Sequence, residues 1–478
     1  MPKKHTICLL NDSFPPIIDG VANAVVNYGK NIEAHHGHAV VVTPAVPGAV
    51  DEGYDYPVIR YPSIDTRKLV GYVTGYPFSP EAERRLLDEH TSLLHTHCPA
   101  ASAILARELR DVLNTPLVMT YHTKYDIDIA KAVKGKLIQT GAIRALVHNA
   151  EACDEVWVVS EGAGENLRSL GYEGEYTVMA NGVDVPRGGA SAEAVQAATA
   201  DFDLPGDVPM FLFVGRLMWY KGLRIILDAL AVLSEKKIDF RMVFVGDGGD
   251  GKEVREYASE LGLDKVCFFT GSISDRETIR AWYTRAELFL FPSTFDTNGL
   301  VVREAAACGT ATVMVAGSCA AEGVTDGQNG FFIEENAESM AAKLCELCAV
   351  PETMRRVGEN AERELYISWE EAVKKAYERY ETVIENYAEG KYPKHKKPMD
   401  GYLKAQGELM DTLAMIETAN DEMVEAIVSE RDEISAHFRK SQEEVREYFR
   451  ERKRRVRESQ DKVTERIEEL WRKMDRYL

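Results

Sequence analysis

Thirteen short runs rich in Val, Ile, Leu and Phe punctuate the chain, and longer stretches of helical periodicity separate most of them. In order they are TICLL, AVVVTP, PVIRYP, LLHTH, LVMTYH, EVWVVS, YTVMANG, MFLFVG, RMVFVG, VCFFTG, LFLFP, TATVMVAG and GFFIE. A run without apolar–polar alternation is a strand buried on both faces. Strands of that kind joined through helices build parallel sheets. One sheet of thirteen strands would curl or split. Two doubly wound sheets of about six strands each are therefore expected. The break falls near 185–208, where PRGGASAEAVQAATADFDLPGDVP loses periodicity and gains Gly, Pro and Asp.

The expected fold class is α/β: two doubly wound, parallel-sheet, Rossmann-like domains facing across a cleft, plus a C-terminal long-helix or coiled-coil extension. The domains are expected at 1–195 and 205–375. A helix at 376–390 returns towards the first domain, a linker covers 391–400, and the charged helical extension covers 401–478. In that extension Gly and Pro nearly vanish after Gly407, and apolar residues recur at spacings of three, four and seven. Pairing of two copies through it is one reading of this segment, and a solvated charged face is another. Its run RERKRRVR, from Arg450, carries six cations in eight residues.

Composition removes several function classes. A net charge of -20 argues against a nucleic-acid partner. No stretch approaches the roughly 18 apolar residues of a membrane span, and MPKKHTICLL lacks a signal-peptide pattern. The expectation is a cytoplasmic protein, with peripheral attachment to the inner face of the plasma membrane left open. Eight cysteines without a framework fit a reducing compartment. Cys345 and Cys348 form a C-x-x-C, yet two further zinc ligands at compatible spacing are not visible, so no metal site is expected.

Parallel sheets bind ligands outside the carboxyl ends of their strands, which directs attention to the residues following each run. After TICLL, the loop NDSFPPIIDG leads through Gly20 into a helix start that can face an anion. After MFLFV come Gly215 and Arg216, then Lys221-Gly222 opening a helix. Two cations beside a helix start suit a diphosphate. After LFLFP, the loop STFDTNG enters LVVREAAACG. Thr297, Asn298 and Gly299 would offer backbone N–H groups to a ligand there. Glu304 lies too deep in the helix to be a cap, and its carboxylate can accept two bonds from a ribose diol. Asp296 either reaches sugar hydroxyls or makes a helix cap or Asx turn.

At this point the chain resembles glycosyltransferase family 4, the retaining, metal-independent enzymes of the GT-B fold. The resemblance spans roughly residues 5–390. It rests on DSFPPIIDGVANAV, LLHTHCPA, TYHTKY, VWVVSEG, MANGVD, FVGRLMWYKG, VFVGDG, FFTGSI, PSTFDTNGLVVREAAACGTATVM, DGQNGFFI and SWEEAVKKAYERY, in that order. It implies that Gly20 lies against the donor diphosphate, and that Arg216 and Lys221 are the basic pair neutralising it. Glu304 is implied to be the second glutamate of the family's Glu-seven-residues-Glu motif, holding the ribose. Asp296 stands where the first glutamate is usual, a departure that bears on which sugar is read. His122 corresponds to the histidine near the transferred sugar. Catalytic roles are thus implied for His122, Asp296, Arg216 and Lys221. Donor contacts are implied at Gly20, Gly215, Arg216, Lys221, Asp296, Thr297, Asn298, Gly299, Leu300 and Glu304, with base contacts near Gly271, Ser272 and Ile273.

The reaction so implied is transfer of a hexose from a nucleotide sugar, with a UDP-sugar such as UDP-glucose as the prior, to an acceptor, and no cofactor. His-Thr-x-Tyr followed by an acid resembles family members that glucosylate diacylglycerol. Over 129–147, Val133, Leu137, Ile138, Ile143 and Leu146 interleave with Lys131, Lys134, Lys136 and Arg144. Such a segment suits an anionic lipid surface or the exterior of an ordinary domain. A membrane glycolipid acceptor, a soluble acceptor and a non-catalytic scaffold are the three readings that follow.

Overall fold

The computed structural model describes residues 5–67, 73–77, 79–132, 135–393, Glu465, Glu469, Leu470, Arg472 and Lys473. The coiled-coil and pairing expectations for 401–478 fall almost wholly outside these residues.

All thirteen apolar runs are strands. In the first half they are β1 (Thr6–Leu10), β2 (His38–Pro44) and β3 (Val58–Tyr61). A two-stranded hairpin unannounced by the sequence follows, β4 (Ser63–Ile64) with β5 (Thr74–Gly75). Then come β6 (Leu93–Thr96), β7 (Leu117–Tyr121), β8 (Glu155–Val158) and β9 (Thr177–Val178). The second half holds β10 (Met210–Val214), β11 (Arg241–Val245), β12 (Cys267–Gly271), β13 (Leu288–Phe291), β14 (Ala311–Val315) and β15 (Phe331–Ile333). The first sheet has the order β3-β2-β1-β6-β7-β8-β9 and the second β12-β11-β10-β13-β14-β15. Every pairing in the second sheet is parallel.

The chain divides into two compact units. One comprises the described residues up to Trp157, Asn166–Thr177 and the described residues from Tyr377. The other comprises Val158–Glu165 and Val178–Ala376. In the second unit β10 is buried along its whole length, as a strand covered on both faces must be. Phe211 stacks on Phe240, and Phe213 stacks on Phe291. The helix Leu223–Glu235 buries Leu223, Ile226, Leu227, Leu230 and Leu233, a stripe at helical spacing.

In the first unit, the second half of the helix Trp369–Ala388 contributes Tyr380. Its ring stacks on Trp157 at 5.1 Å, and its hydroxyl lies 2.5 Å from His95 Nδ1. Arg379 forms a double hydrogen bond with Glu155 at 2.9 and 2.6 Å.

One helix sits inside the expected break. Ala192–Thr199 starts at Ser191, whose Oγ accepts from the Ala194 N–H. It packs on the helix Arg276–Arg285.

Candidate functional site

The second sheet reverses direction between β10 and β13, and a crevice at that switch point is where open parallel sheets take ligands. Two loops leave there, 215–222 after β10 and 292–299 after β13. They are in close contact, since a Cβ on Gly222 would fall 2.6 Å from the Pro292 carbonyl oxygen. Lys221 and Asp296 meet in this contact: Nζ lies 2.6 and 2.7 Å from the two carboxylate oxygens. Ser293 Oγ donates to the same carboxylate at 2.7 Å. Arg216 is exposed, and its guanidinium donates to the Tyr220 hydroxyl at 3.3 Å. The Tyr220 ring in turn packs on Phe295 at 4.6 Å. Lys221 of one loop is thus paired with Asp296 of the other, and Arg216 joins the contact between the loops through Tyr220.

Asp296 does not cap the following helix. Leu300–Ala307 begins after Gly299, and no side chain caps it. Gly299 has φ +56°, and a Cβ there would lie 2.8 Å from Ala320 Cα, so both the turn and the packing demand glycine. Leu223–Glu235 likewise begins after Gly222 with no side-chain cap. First-turn N–H groups have no intrahelical acceptor and carry the positive end of the helix dipole. Both switch-point loops therefore end in helix starts suited to an anion. The neighbouring backbone is pinned: Ser160 Oγ donates to the Thr297 carbonyl at 2.5 Å. Glu322 accepts from the Glu161 and Gly162 N–H groups at 2.8 and 2.7 Å, anchoring the segment that carries Ser160.

Glu304 is the fifth residue of Leu300–Ala307, with its side chain 14% exposed. Burial raises its carboxyl above the usual range, and the Arg276 guanidinium and the Tyr283 hydroxyl act in the opposite direction. Tyr283 donates to Oε2 at 3.2 Å, and Arg276 lies 3.7 Å from Oε1. Arg276 also reaches Asp184, at 3.5 Å. Burial thus works against the charge of this carboxylate, while the Arg276 guanidinium and the Tyr283 hydroxyl work for it.

The strip expected to read a base closes β12. The Gly271 carbonyl accepts from the Gly246 N–H at 2.9 Å, and Ser272 is exposed. Ile273 lines a recess of about 470 Å³ together with Ala194, Ala198, Phe202, Thr270 and Trp282. The Gly215 carbonyl packs against Gly246, where a Cβ would approach within 2.0 Å.

Gly20 and His122 belong to the first unit. Its sheet reverses between β1 and β6, and the loops after β1, β6 and β7 carry Asp12, His97 and His122. Gly20 opens the helix Gly20–Asn31, but Asp19 Oδ1 accepts from the Val21 and Ala22 N–H groups at 2.9 and 2.7 Å. A carboxylate already occupies that helix start. A Cβ on Gly20 would meet nothing, so packing within the chain does not account for glycine there.

His122 Nε2 lies 2.9 Å from His97 Nδ1, and His95 Nε2 lies 2.7 Å from Thr120 Oγ1. Burial pushes the His122 imidazole down to about 3, and holds His95 and His97 well below their ordinary range. The three rings are neutral at physiological pH. The resemblance pointed to His122 alone. The signal for its neighbours was the alternation in LLHTH, which in an extended run would put both histidines on one side; β6 ends at Thr96, so His95 is on the strand and His97 just after it. Asp12 is held by the Ser102 N–H at 2.8 Å and the Tyr61 hydroxyl at 3.2 Å.

The basic stretch over 129–147 is two helices, Tyr125–Ala132 and Lys136–Glu151. Lys136 and Arg144 are exposed, whereas Leu146 is 5% exposed and belongs to the core. Val133 and Lys134 lie outside the described residues. Cys345 and Cys348 are half-buried on the helix Ala337–Ala349, and burial pushes the Cys348 thiol up to about 11. Among the described residues, no group of three or more His, Cys, Asp or Glu is placed to hold a metal ion, and no helix is long and apolar enough to cross a membrane.

Residues 18–187 match the family described as Glycosyltransferase Family 4, and residues 196–364 match Glycosyl transferases group 1. An alpha-monoglucosyldiacylglycerol synthase of Streptococcus pneumoniae is 25% identical over 311 residues, 64% of this chain and 70% of that one. The protein of the same description from Acholeplasma laidlawii is 25% identical over 369 residues, 74% of this chain and 91% of that one. A GDP-mannose-dependent alpha-mannosyltransferase of Corynebacterium glutamicum is 26% identical, covering 69% and 76%. Among solved structures, Anabaena HepE in complex with UDP and glucose aligns with a TM-score of 0.61 at 20% identity, over 79% of this chain and all of that one. Sucrose-phosphate synthase of Thermosynechococcus elongatus aligns with a TM-score of 0.63 at 22% identity, over 80% of this chain and all of that one. These two likenesses establish the two-sheet fold.

Proposed function

The chain belongs to the family 4 glycosyltransferases, and from that premise we propose that it transfers a hexose from a nucleotide sugar, with retention, to a membrane lipid such as diacylglycerol. The observation that carries the donor half is the cluster at the second sheet's switch point. Lys221 and Arg216 stand there beside two uncapped helix starts, an arrangement suited to a diphosphate. The lipid half rests on the diacylglycerol named in the description of two relatives. A soluble acceptor is the alternative.

In the proposed reaction the bond from the sugar's C1 to the diphosphate oxygen breaks, and the acceptor oxygen bonds C1 on the same face. The acceptor's proton passes to the departing diphosphate. Charge accumulates on that leaving group, so catalysis consists of holding it. Lys221, released from Asp296, and Arg216 neutralise it together with first-turn N–H groups. Asp296, once free of Lys221, accepts from sugar hydroxyls. Glu304 accepts from the ribose diol, which favours its ionised form in the bound state. His122, neutral, serves as a hydrogen-bonding group rather than as a cation. We assign no metal and no other cofactor to this chemistry.

A donor screen tests the reading. Purified protein is incubated with UDP-glucose, UDP-galactose, UDP-N-acetylglucosamine or GDP-mannose, with EDTA, and with or without diacylglycerol vesicles. Release of free nucleotide from one donor, raised by the lipid and unaffected by EDTA, is expected. Release indifferent to lipid moves the acceptor to a soluble class. Silence with every donor rejects catalysis.

A further inference from the structure

The carboxamide of Asn298 is buried at the switch point, and both its polar atoms, Oδ1 and Nδ2, have no hydrogen-bond partner among the described residues. Buried amides are almost always satisfied, so an orphan at a ligand-facing loop calls for a cause. Strain in a mobile loop is not that cause. On one side Asp296 is locked to Lys221 and Ser293, and the Thr297 carbonyl is held by Ser160. On the other, Gly299 packs on Ala320. The backbone on both sides of Asn298 is therefore fixed by packing and hydrogen bonds.

The chemistry of the missing partner follows from the pair of orphans. A diphosphate oxygen accepts from Nδ2 but has no proton for Oδ1. An ammonium or guanidinium donates to Oδ1 but leaves Nδ2 bare. A single group that both donates and accepts answers the whole amide, and of the parts of a nucleotide sugar the hydroxyls do so at sp3 carbons beside the diphosphate. The conclusion does not depend on which amide atom is oxygen, because both are orphaned.

Resting on the nucleotide-sugar reading above, we propose that the Asn298 side chain reads hydroxyl groups of the transferred hexose, beside Asp296, and so sets which sugar is accepted. The backbone at this position would serve the diphosphate while the side chain serves the sugar. A site built to bond a hydroxyl rejects a sugar that lacks or misplaces it, because its own polar atoms are then stranded.

Calorimetric titration separates the two roles. UDP is compared with UDP-glucose, and GDP with GDP-mannose, on the full-length wild type and on Asn298→Ala. The expected result is that the sugar nucleotide's Kd rises by at least about tenfold in the variant. The Kd of the matching diphosphate should stay within about twofold. The near-isosteric Asn298→Leu keeps the volume, so its ligand-free Tm should equal or exceed that of the wild type, since no hydrogen bond is lost. Equal weakening of both ligands, no weakening of either, or a lower ligand-free Tm in Asn298→Leu overturns the proposal. The last would mean that a buried water satisfies the amide. If the wild type binds none of the four probes, the nucleotide-sugar reading itself fails. If it binds them and the variants behave as wild type, only the role of Asn298 fails.

Discussion

Lys221 and Asp296 hold each other in the free protein, and that single pair explains why each is more than a surface charge. Their side chains are 14% and 24% exposed, so removing one partner strands the other in a poorly solvated place. The pair keeps two groups of opposite charge in position at little electrostatic cost, and a donor carrying both phosphates and hydroxyls can divide them. Lys221→Ala and Glu304→Ala are each expected to lower kcat/KM by about a hundredfold or more, the usual effect of removing a charge-stabilising group. Steady-state kinetics on the donor found by the screen checks this, and near wild-type turnover in both would displace the site. Asp296→Glu should change donor preference if the carboxylate reads the sugar. Sequence pattern singled out Lys221 and Asp296 because they lie in the loops that leave strand ends, and Glu304 because it sits too deep in the following helix to be a cap. It did not announce Ser160, which is far along the chain and meets Thr297 only through the fold.

Two elements carry a polar core that a strand pattern conceals. β6 and β7 bring His95, His97, Thr120 and His122 together, and the helix Trp369–Ala388 closes them with Tyr380. Tyr380→Phe should remove the partner of His95 Nδ1 and cost about 1–3 kcal/mol, the penalty for a stranded buried polar group; chemical denaturation measures it.

The histidines also fix a pH dependence. In the unfolded chain each titrates near 6.5, while burial holds the folded-state value of His122 at about 3 and those of His95 and His97 well below 6.5. Below pH 6.5 the unfolded state therefore binds protons that the folded state refuses. Stability is whole above pH 6.5 and falls as pH drops, by up to about 1.4 kcal/mol per pH unit for each ring. The denaturation midpoint should accordingly drop between pH 7 and pH 5, and more gently in His122→Gln. A flat profile would show that the rings are solvated. The helix Ala192–Thr199 teaches the converse lesson: Ser191 followed by AEAVQAA is a capped helix start, overlooked because surrounding Gly and Pro dominate the window.

At the scale of the molecule, net charge and acceptor class pull in opposite directions. The chain carries -20 overall, which disfavours an anionic surface. Lys136 and Arg144 stay exposed on one helix, while Leu146 is committed to the core. If the acceptor is a membrane lipid, binding should be local. Flotation with anionic vesicles should weaken as salt rises and disappear when Lys131, Lys134 and Lys136 are neutralised together. Zwitterionic vesicles should bind less. Binding insensitive to both salt and those substitutions would place lipid contact elsewhere.

By itself the sequence determined where the thirteen strands of the two parallel sheets lie along the chain, because burial on both faces writes an uninterrupted apolar run, but not the short pair β4 and β5. It also determined that chemistry would follow those runs, since only strand ends are open to solvent. The tertiary structure alone decided which ends meet. Strand order is set by crossovers spanning dozens of residues, and the partners of Lys221, Thr297, Glu304 and His122 come from chain distances that no local pattern encodes. The orphaned amide of Asn298 is of that kind: its residue type was plain in the sequence, but its lack of any partner among the described residues is a property of everything packed around it.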